Sequence, residues 1–288
     1  MALPFPNIDV FIFPPVGPFE IGGMSIGPIG IRWYAMAYIA GILLGWRYMT
    51  NLVRSSGLFG KQGPPATALQ IDDLILWITL GIIIGGRLGS VIFYTPSILI
   101  EEPLRVLRTW EGGMSFHGGV IGVLVATFLF ARTNGLDVVR LGDVITPAVP
   151  FGLFFGRIAN FINSELWGRP TDLPWGVFFP NGGPFSRHPS QIYEAALEGI
   201  VLFLILRWAT HRRHLLERRG VVSGIFFAGY ALFRILLENV RQPDEGLDNF
   251  PFGLTMGILL SVPMGLFGIW LIWQGMKTAP EPAETPKA

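Results

Sequence analysis

Seven stretches of the chain are apolar over close to the length that a membrane-crossing helix requires, about 20 residues. They run over 31–50, 71–95, 115–132, 143–162, 190–210, 221–240 and 253–275. The fourth and fifth carry polar residues and are the least uniform. Residues 1–30 contain several prolines, no Lys or Arg, and the apolar Phe11, Ile12, Phe13 and Phe19. They lack the basic and short apolar regions of a cleaved signal peptide, so a non-helical segment lying on the membrane surface is expected there. The pattern predicts an all-α integral membrane protein with about seven transmembrane helices in 31–275. The outer loops 96–114 and 164–189 are expected to form a small head, and 276–288 a disordered tail.

Loop charges orient this bundle. Arg47, Arg54, Lys61, Arg132, Arg140, Arg207, Arg212, Arg213, Arg218, Arg219, Lys277 and Lys287 fall on one side. Arg32, Arg105, Arg108, Arg169, Arg187 and Arg241 fall on the other. The positive-inside rule puts the larger set in the cytoplasm, with the N-terminus outside and the C-terminus cytoplasmic. Composition agrees with a membrane protein: 51% of the 288 residues are hydrophobic and 14% charged, against about 25% charged in soluble domains. The net charge of +1 gives no reason to expect nucleic acid. With no cysteine, disulfides, thiolate metal sites and a cysteine nucleophile are excluded. Four histidines and no H-E-x-x-H argue against a metal site.

Three arginines, Arg87, Arg157 and Arg234, stand within or at the outer ends of spans. An arginine costs about 2.5–3.5 kcal/mol at a helix centre on insertion scales, which marks each as a candidate for function. Arg157 lies in a Gly-rich apolar run, 151–165, that also holds Asn160, Asn163 and Glu165. Arg157 and Asn160 share a helix face. The planar guanidinium fork suits a phosphate or a carboxylate; the alternative is a buried Arg–Glu pair that only fixes packing. Tyr230, Arg234, Glu238 and Arg241 are spaced four, four and three, forming one polar stripe on the sixth span. Glu194 and Glu198 share a face of the fifth span and are candidate counter-charges, and Ser190 is placed to cap that helix. His117 sits near the outer boundary between glycine pairs, and histidine can exchange a proton near neutral pH. Gly81, Gly85 and Gly89 line one helix face and allow close packing, with Arg87 beside them. The polar groups gather towards the outer half of the bundle. That arrangement suits an anionic lipid head group held by arginines, with developing charge stabilised.

Four stretches, Gly112–Gly122, Gly156–Glu165, His188–Glu194 and Tyr230–Asp244, resemble in order those of the prolipoprotein diacylglyceryl transferases, and the similarity covers nearly all of the chain. The resemblance implies transfer of a diacylglyceryl group from phosphatidylglycerol to the lipobox cysteine of a prolipoprotein, with glycerol phosphate leaving. It implies a multi-pass protein of the bacterial inner membrane with its active site towards the periplasm, without cofactor or metal. Its partners would be membrane lipid and signal peptides, not nucleic acid. By position Arg157 matches the family's lipid-binding arginine. Arg234 and Arg241 match arginines of the sixth-span block, with Glu238 between them; His117 matches the glycine-flanked histidine and Tyr34 an aromatic opening the first span. The catalytic set is thus expected to be Arg157, Arg234, His117 and Glu238. Arg87, Asn160, Asn163, Glu165 and Tyr230 are expected to join Tyr34, Arg157 and Arg241 in binding substrate. His117 would accept the thiol proton and Glu238 would orient the arginines. Ala159 and Ser164 depart from the family by standing where many members have glycine, and the 164–189 loop is shorter than in some.

Two other classes fit parts of the chain. A lipid transporter could use the same arginines, but no internal repeat is visible. A serine hydrolase could use Ser25, in Gly23-Met24-Ser25-Ile26-Gly27, or Ser115 with His117; the G-x-S-x-G elbow requires a strand before it and a helix after it.

Overall fold

The computed structural model describes residues 2–21, 24–26, 30–108, 113–243 and 254–277. Helices cover the apolar stretches: α1 Trp33–Arg54, α2 Ala68–Tyr94, α3 Phe116–Thr133, α4 Val138–Ile145, α5 Val149–Ile162, α6, α7 Val221–Leu237 and α8 Met256–Lys277. Helix α6 runs through Ser190–Glu194, a π turn at Ala195–Val201 and Leu202–His211. Four helical units among the described residues, with α4 and α5 counted as one, are long and apolar enough to cross a membrane. The outward faces of α2, α3 and α8 are apolar, with Leu76, Ile83, Ile92, Leu124, Leu266 and Ile269 exposed. Water would penalise such a surface and lipid does not, so the chain is a helical, multi-pass membrane protein.

The two least uniform stretches are the two irregular ones. Pro147 and Pro150 interrupt the fourth, where a 3-10 turn at Thr146–Ala148 separates α4 from α5. In the fifth, the π turn follows directly on Glu194 and contains Glu198. A π turn inserts one residue into the helical ladder and re-aims the side chains around it.

Glycines set how closely the helices approach. A Cβ at Gly89 would stand 2.6 Å from the Cα of Gly118, and one at Gly85 would press into the Gly118 carbonyl, so α2 and α3 meet backbone to backbone. Gly41 approaches Gly152 between α1 and α5, and Gly224 approaches Gly268 between α7 and α8. Gly85→Val is expected to force α2 and α3 apart, costing about 3 kcal/mol or more by overpacking. A fall in thermal midpoint in detergent would register it, and an unchanged midpoint would contradict the packing.

The apolar core lies at one end of the bundle, around Leu52, Phe59, Ile71, Leu74, Phe130, Leu141, Leu206 and Val222. There Asp143, 2% exposed, accepts amide hydrogen bonds from Gly220 (2.6 Å) and Ser223 (2.7 Å) at the start of α7. A carboxylate suits the positive end of a helix, which explains this buried acid structurally.

At the other end, short extended pieces tie the loops together. Strand β1, Leu3–Pro4, pairs in parallel with β4, Val177–Phe178, and Phe5 packs on Phe161 and Phe179. Strands β2, Phe19–Ile21, and β3, Met24–Ile26, form an antiparallel hairpin. The described residues of the N-terminal segment are therefore non-helical. Ser25 is the central residue of β3, opposite Glu20, so it does not occupy a strand-to-helix elbow. Gly23 and Gly27 of that motif lie outside the described residues, as do Glu111, Gly112, Asp244 and the tail beyond Lys277.

Candidate active site

Opposite the apolar core, α5, α6 and α7 converge on a group of ionisable side chains that are largely removed from solvent. Arg157 comes from the last turns of α5, Glu194 and Glu198 from around the π turn of α6, and Arg234 from the end of α7. Glu238 and Arg241 follow just past α7. Both α6 carboxylates are fully buried, at 0% exposure. Arg157 keeps 17% of its side chain accessible.

Glu194 bridges two arginines. Its Oε1 accepts a 3.1 Å hydrogen bond from Arg241 Nη1, and its Oε2 stands 2.5 Å from Arg157 Nε. Arg157 Nη2 is 3.8 Å from Glu198, a pair too long for a hydrogen bond. Arg157 thus has two ion-pair partners but, among the described residues, no aligned hydrogen bond for its five N–H groups. Arg234 pairs with Glu238 through Nη1. These two residues and Arg241 border a water-sized cavity of about 20 Å³, closed on the other side by Thr255, Met256 and Gly257. A Cβ at Gly257 would stand 2.6 Å from Glu238 Oε2, so glycine there leaves room for the pair. Tyr230 and Tyr34 lie within electrostatic reach of Arg157.

The asparagines form a second group. Asn160 donates to Glu165 Oε1 at 2.7 Å, and Asn163 donates to the same oxygen at 3.5 Å. The Glu165 carbonyl accepts a 2.6 Å bond from Gln191, which is fully buried. Ser190 does not cap α6: Pro189 precedes the helix, and the Ser190 hydroxyl donates to the Leu166 carbonyl at 3.0 Å. Through Ser190 and Gln191 the start of α6 is fastened to the chain that leaves α5. Ser164 takes φ +55°, the left-handed region that favours glycine, which explains why glycine suits this position.

The loop after α5 folds over this end. Gly168 and Arg169 bond to His188 and Val240, and Arg169 Nε donates to the Arg241 carbonyl at 2.9 Å. Arg187 donates to the carbonyls of Gly182 (2.6 Å) and Gly168 (3.2 Å) and lies 5.8 Å from the centre of the Trp167 ring.

Two further expected site residues have contacts of their own. Arg87, 7% exposed, donates to the carbonyls of Val106 (2.9 Å) and Arg105 (2.6 Å), and so holds the loop after α2 in place. That anchoring accounts for its burial without substrate. His117 lies on the exposed side of the first turn of α3, a helix packed chiefly on α2; its ring meets that of Phe116. Among the described residues no hydrogen bond or ion pair links it to the arginines. Ser115 caps α3 by accepting from the Gly118 amide at 3.2 Å, so its hydroxyl is not poised beside His117 as a nucleophile.

Glu194 and Glu198 complete the arginine cluster, yet the sequence pattern marked them only as counter-charges. Their four-residue spacing was the available signal. The double bridge by Glu194 depends on how the chain beyond α7 returns, which spacing does not encode.

The family model described as prolipoprotein diacylglyceryl transferase matches residues 23–274 of the chain. A protein of Phenylobacterium zucineum (strain HLK1) is 59% identical over 99% of this chain and 98% of its own length. One of Caulobacter vibrioides (strain NA1000 / CB15N) is 54% identical over 95% of each. A third, from Rhizobium meliloti (strain 1021), is 49% identical over 96% of this chain and 95% of its own. All three are named phosphatidylglycerol–prolipoprotein diacylglyceryl transferase.

Proposed function

The chain belongs to the prolipoprotein diacylglyceryl transferase family, and from that premise we propose how its buried arginines carry out the transfer. The protein is a transferase that moves the diacylglyceryl group of phosphatidylglycerol to prolipoproteins, the first step of lipoprotein maturation. Arg157 and Arg234 hold the lipid phosphate. The observation that carries this assignment is Arg157 itself: a deeply placed guanidinium with five N–H donors and no aligned acceptor among the described residues. Its side chain keeps 17% of its surface accessible, and the two carboxylates engage only part of its fork, which leaves N–H donors available to a phosphate.

In the reaction the cysteine thiol of the prolipoprotein loses its proton to His117, whose ring is exposed to incoming substrate. Sulfur then forms a bond to the glycerol carbon that carries the phosphodiester oxygen. The carbon–oxygen bond breaks, and glycerol phosphate leaves with the electron pair. The phosphate passes from one negative charge to two, so the arginine contacts strengthen as the transition state forms. Glu194 and Glu238 orient the two guanidiniums. Asn160, Asn163 and Glu165 shape the wall behind Arg157, and Tyr34, Tyr230 and Arg241 border the head group. An apolar groove of about 210 Å³ between α7 and α8 includes Leu232 and Ile235, which flank Arg234 in sequence, and receives an acyl chain of the lipid.

In this reading seven helices cross the bacterial inner membrane over residues 31–275, the cluster lies in its periplasmic half, the start of α1 faces outward and the end of α8 faces the cytoplasm. The 164–189 loop and the described residues of the 96–114 loop form the head above the cluster, and the described residues of the N-terminal segment run along the outer surface. The uneven distribution of Lys and Arg between the two sets of loops supports this orientation.

Purified protein incubated with phosphatidylglycerol and a lipobox peptide tests the reaction. The peptide should gain the mass of one diacylglyceryl group when it carries Cys and none when it carries Ser. No adduct beside an active control enzyme would refute it. His117→Gln is expected to lower kcat/KM about 10²-fold or more, as loss of a general base does, and to alter the pH–rate profile. An unchanged profile would exclude His117 as the base.

A further inference from the structure

We propose that Glu198 is a positioning residue that takes up a proton when an anionic phosphate docks on Arg157, so that lipid binding is coupled to protonation. The inference rests on the assignment of Arg157 as the phosphate clamp and extends it.

The cluster is balanced as it stands. Arg157, Arg234 and Arg241 supply three guanidiniums; Glu194, Glu198 and Glu238 supply three carboxylates. Glu194 has two arginines and Glu238 has one at close range. Glu198 is different. It is 0% exposed, and neither of its carboxylate oxygens has a hydrogen bond among the described residues. Among the described residues its one ion pair is the 3.8 Å contact with Arg157 Nη2. Around it stand Arg157 on α5, Glu194 on its own helix, Tyr230 and Arg234 on α7, and Arg241 beyond α7.

A phosphodiester brings one more negative charge into this closed balance. It draws on the guanidinium nearest Glu198, and Glu198 is then left as a buried charge with only the more distant Arg234 and Arg241 to compensate it. Such a charge is costly, and binding a proton removes it. The carboxylate gains one proton from water, the cluster gains one anion, and the charge returns to balance. Glu194 keeps Arg241 and Glu238 keeps Arg234. The π turn gives the arrangement its geometry, because it separates Glu198 from the bridging position that Glu194 occupies.

Calorimetric titration of the full-length protein in detergent with dioctanoyl phosphatidylglycerol, in two buffers of different ionisation enthalpy, counts the protons exchanged. Wild type should take up a proton on binding, approaching one per lipid on the alkaline side of neutrality, where its affinity should fall up to tenfold per pH unit. Glu198→Gln should bind the lipid with about no proton uptake and a flat pH dependence. Lipid binding by wild type without proton uptake overturns the inference and leaves the clamp standing, and this holds even if the variant does not fold. Equal uptake by a folded Glu198→Gln also overturns it. Failure of wild type to bind phosphatidylglycerol overturns both the inference and the clamp.

Discussion

Arg157→Ala is expected to lower kcat about 10³-fold, with a smaller change in KM. Loss of one preorganised donor to a developing oxyanion costs about 10²–10³-fold, and Arg157 presents a full guanidinium in a site with little water. The effect falls on kcat because the phosphate doubles its charge as it leaves, so the interaction grows between ground state and transition state. A structural arginine would behave differently. If Arg157 only compensated Glu194 and Glu198, lysine would serve nearly as well, since it keeps the charge. A phosphate clamp requires the planar fork, so Arg157→Lys should retain the wild-type thermal midpoint and still lose most activity. Steady-state rates of peptide lipidation, with thermal unfolding of the same samples, separate the two. An Arg157→Lys enzyme with near wild-type kcat would remove the clamp.

Glu194→Gln carries the largest expected effect on stability. The carboxylate is fully buried and joins Arg157 on α5 to Arg241 beyond α7. Gln retains one acceptor oxygen and turns an amide N–H₂ towards the other guanidinium. Breaking a buried pair in this way costs about 3–5 kcal/mol, because an uncompensated charge remains. On the scale of soluble domains that lowers a midpoint by roughly 10 °C. Activity should fall with it, since Arg157 loses its orienting partner. A midpoint within a degree or two of wild type would show that Arg157 and Arg241 are held by other groups.

Much of this site was legible in the chain, and the reasons are local. Four-residue spacing placed Arg234 and Glu238 together and put Glu194 and Glu198 on one face, because helix geometry fixes neighbours at that separation. Glycine spacing in α2 anticipated the close approach to α3. What sequence did not show depends on long-range contacts. Arg87 anchors carbonyls of a loop some twenty residues away in sequence. Ser190 and Gln191 fasten α6 to the chain leaving α5 rather than capping a helix. The π turn in α6, where Gly199 meets Phe154, has no compositional signature. Burial was also hidden: the pattern marked the acids of α6 as charges but not as fully enclosed ones.

The clamp is tested most directly by a structure of the protein with a non-reactive phosphatidylglycerol analogue bound. The phosphate should lie within about 3 Å of guanidinium nitrogens of both Arg157 and Arg234, with Glu194 still on Arg241. A phosphate bound elsewhere, with Arg157 still facing only Glu194 and Glu198, would contradict it.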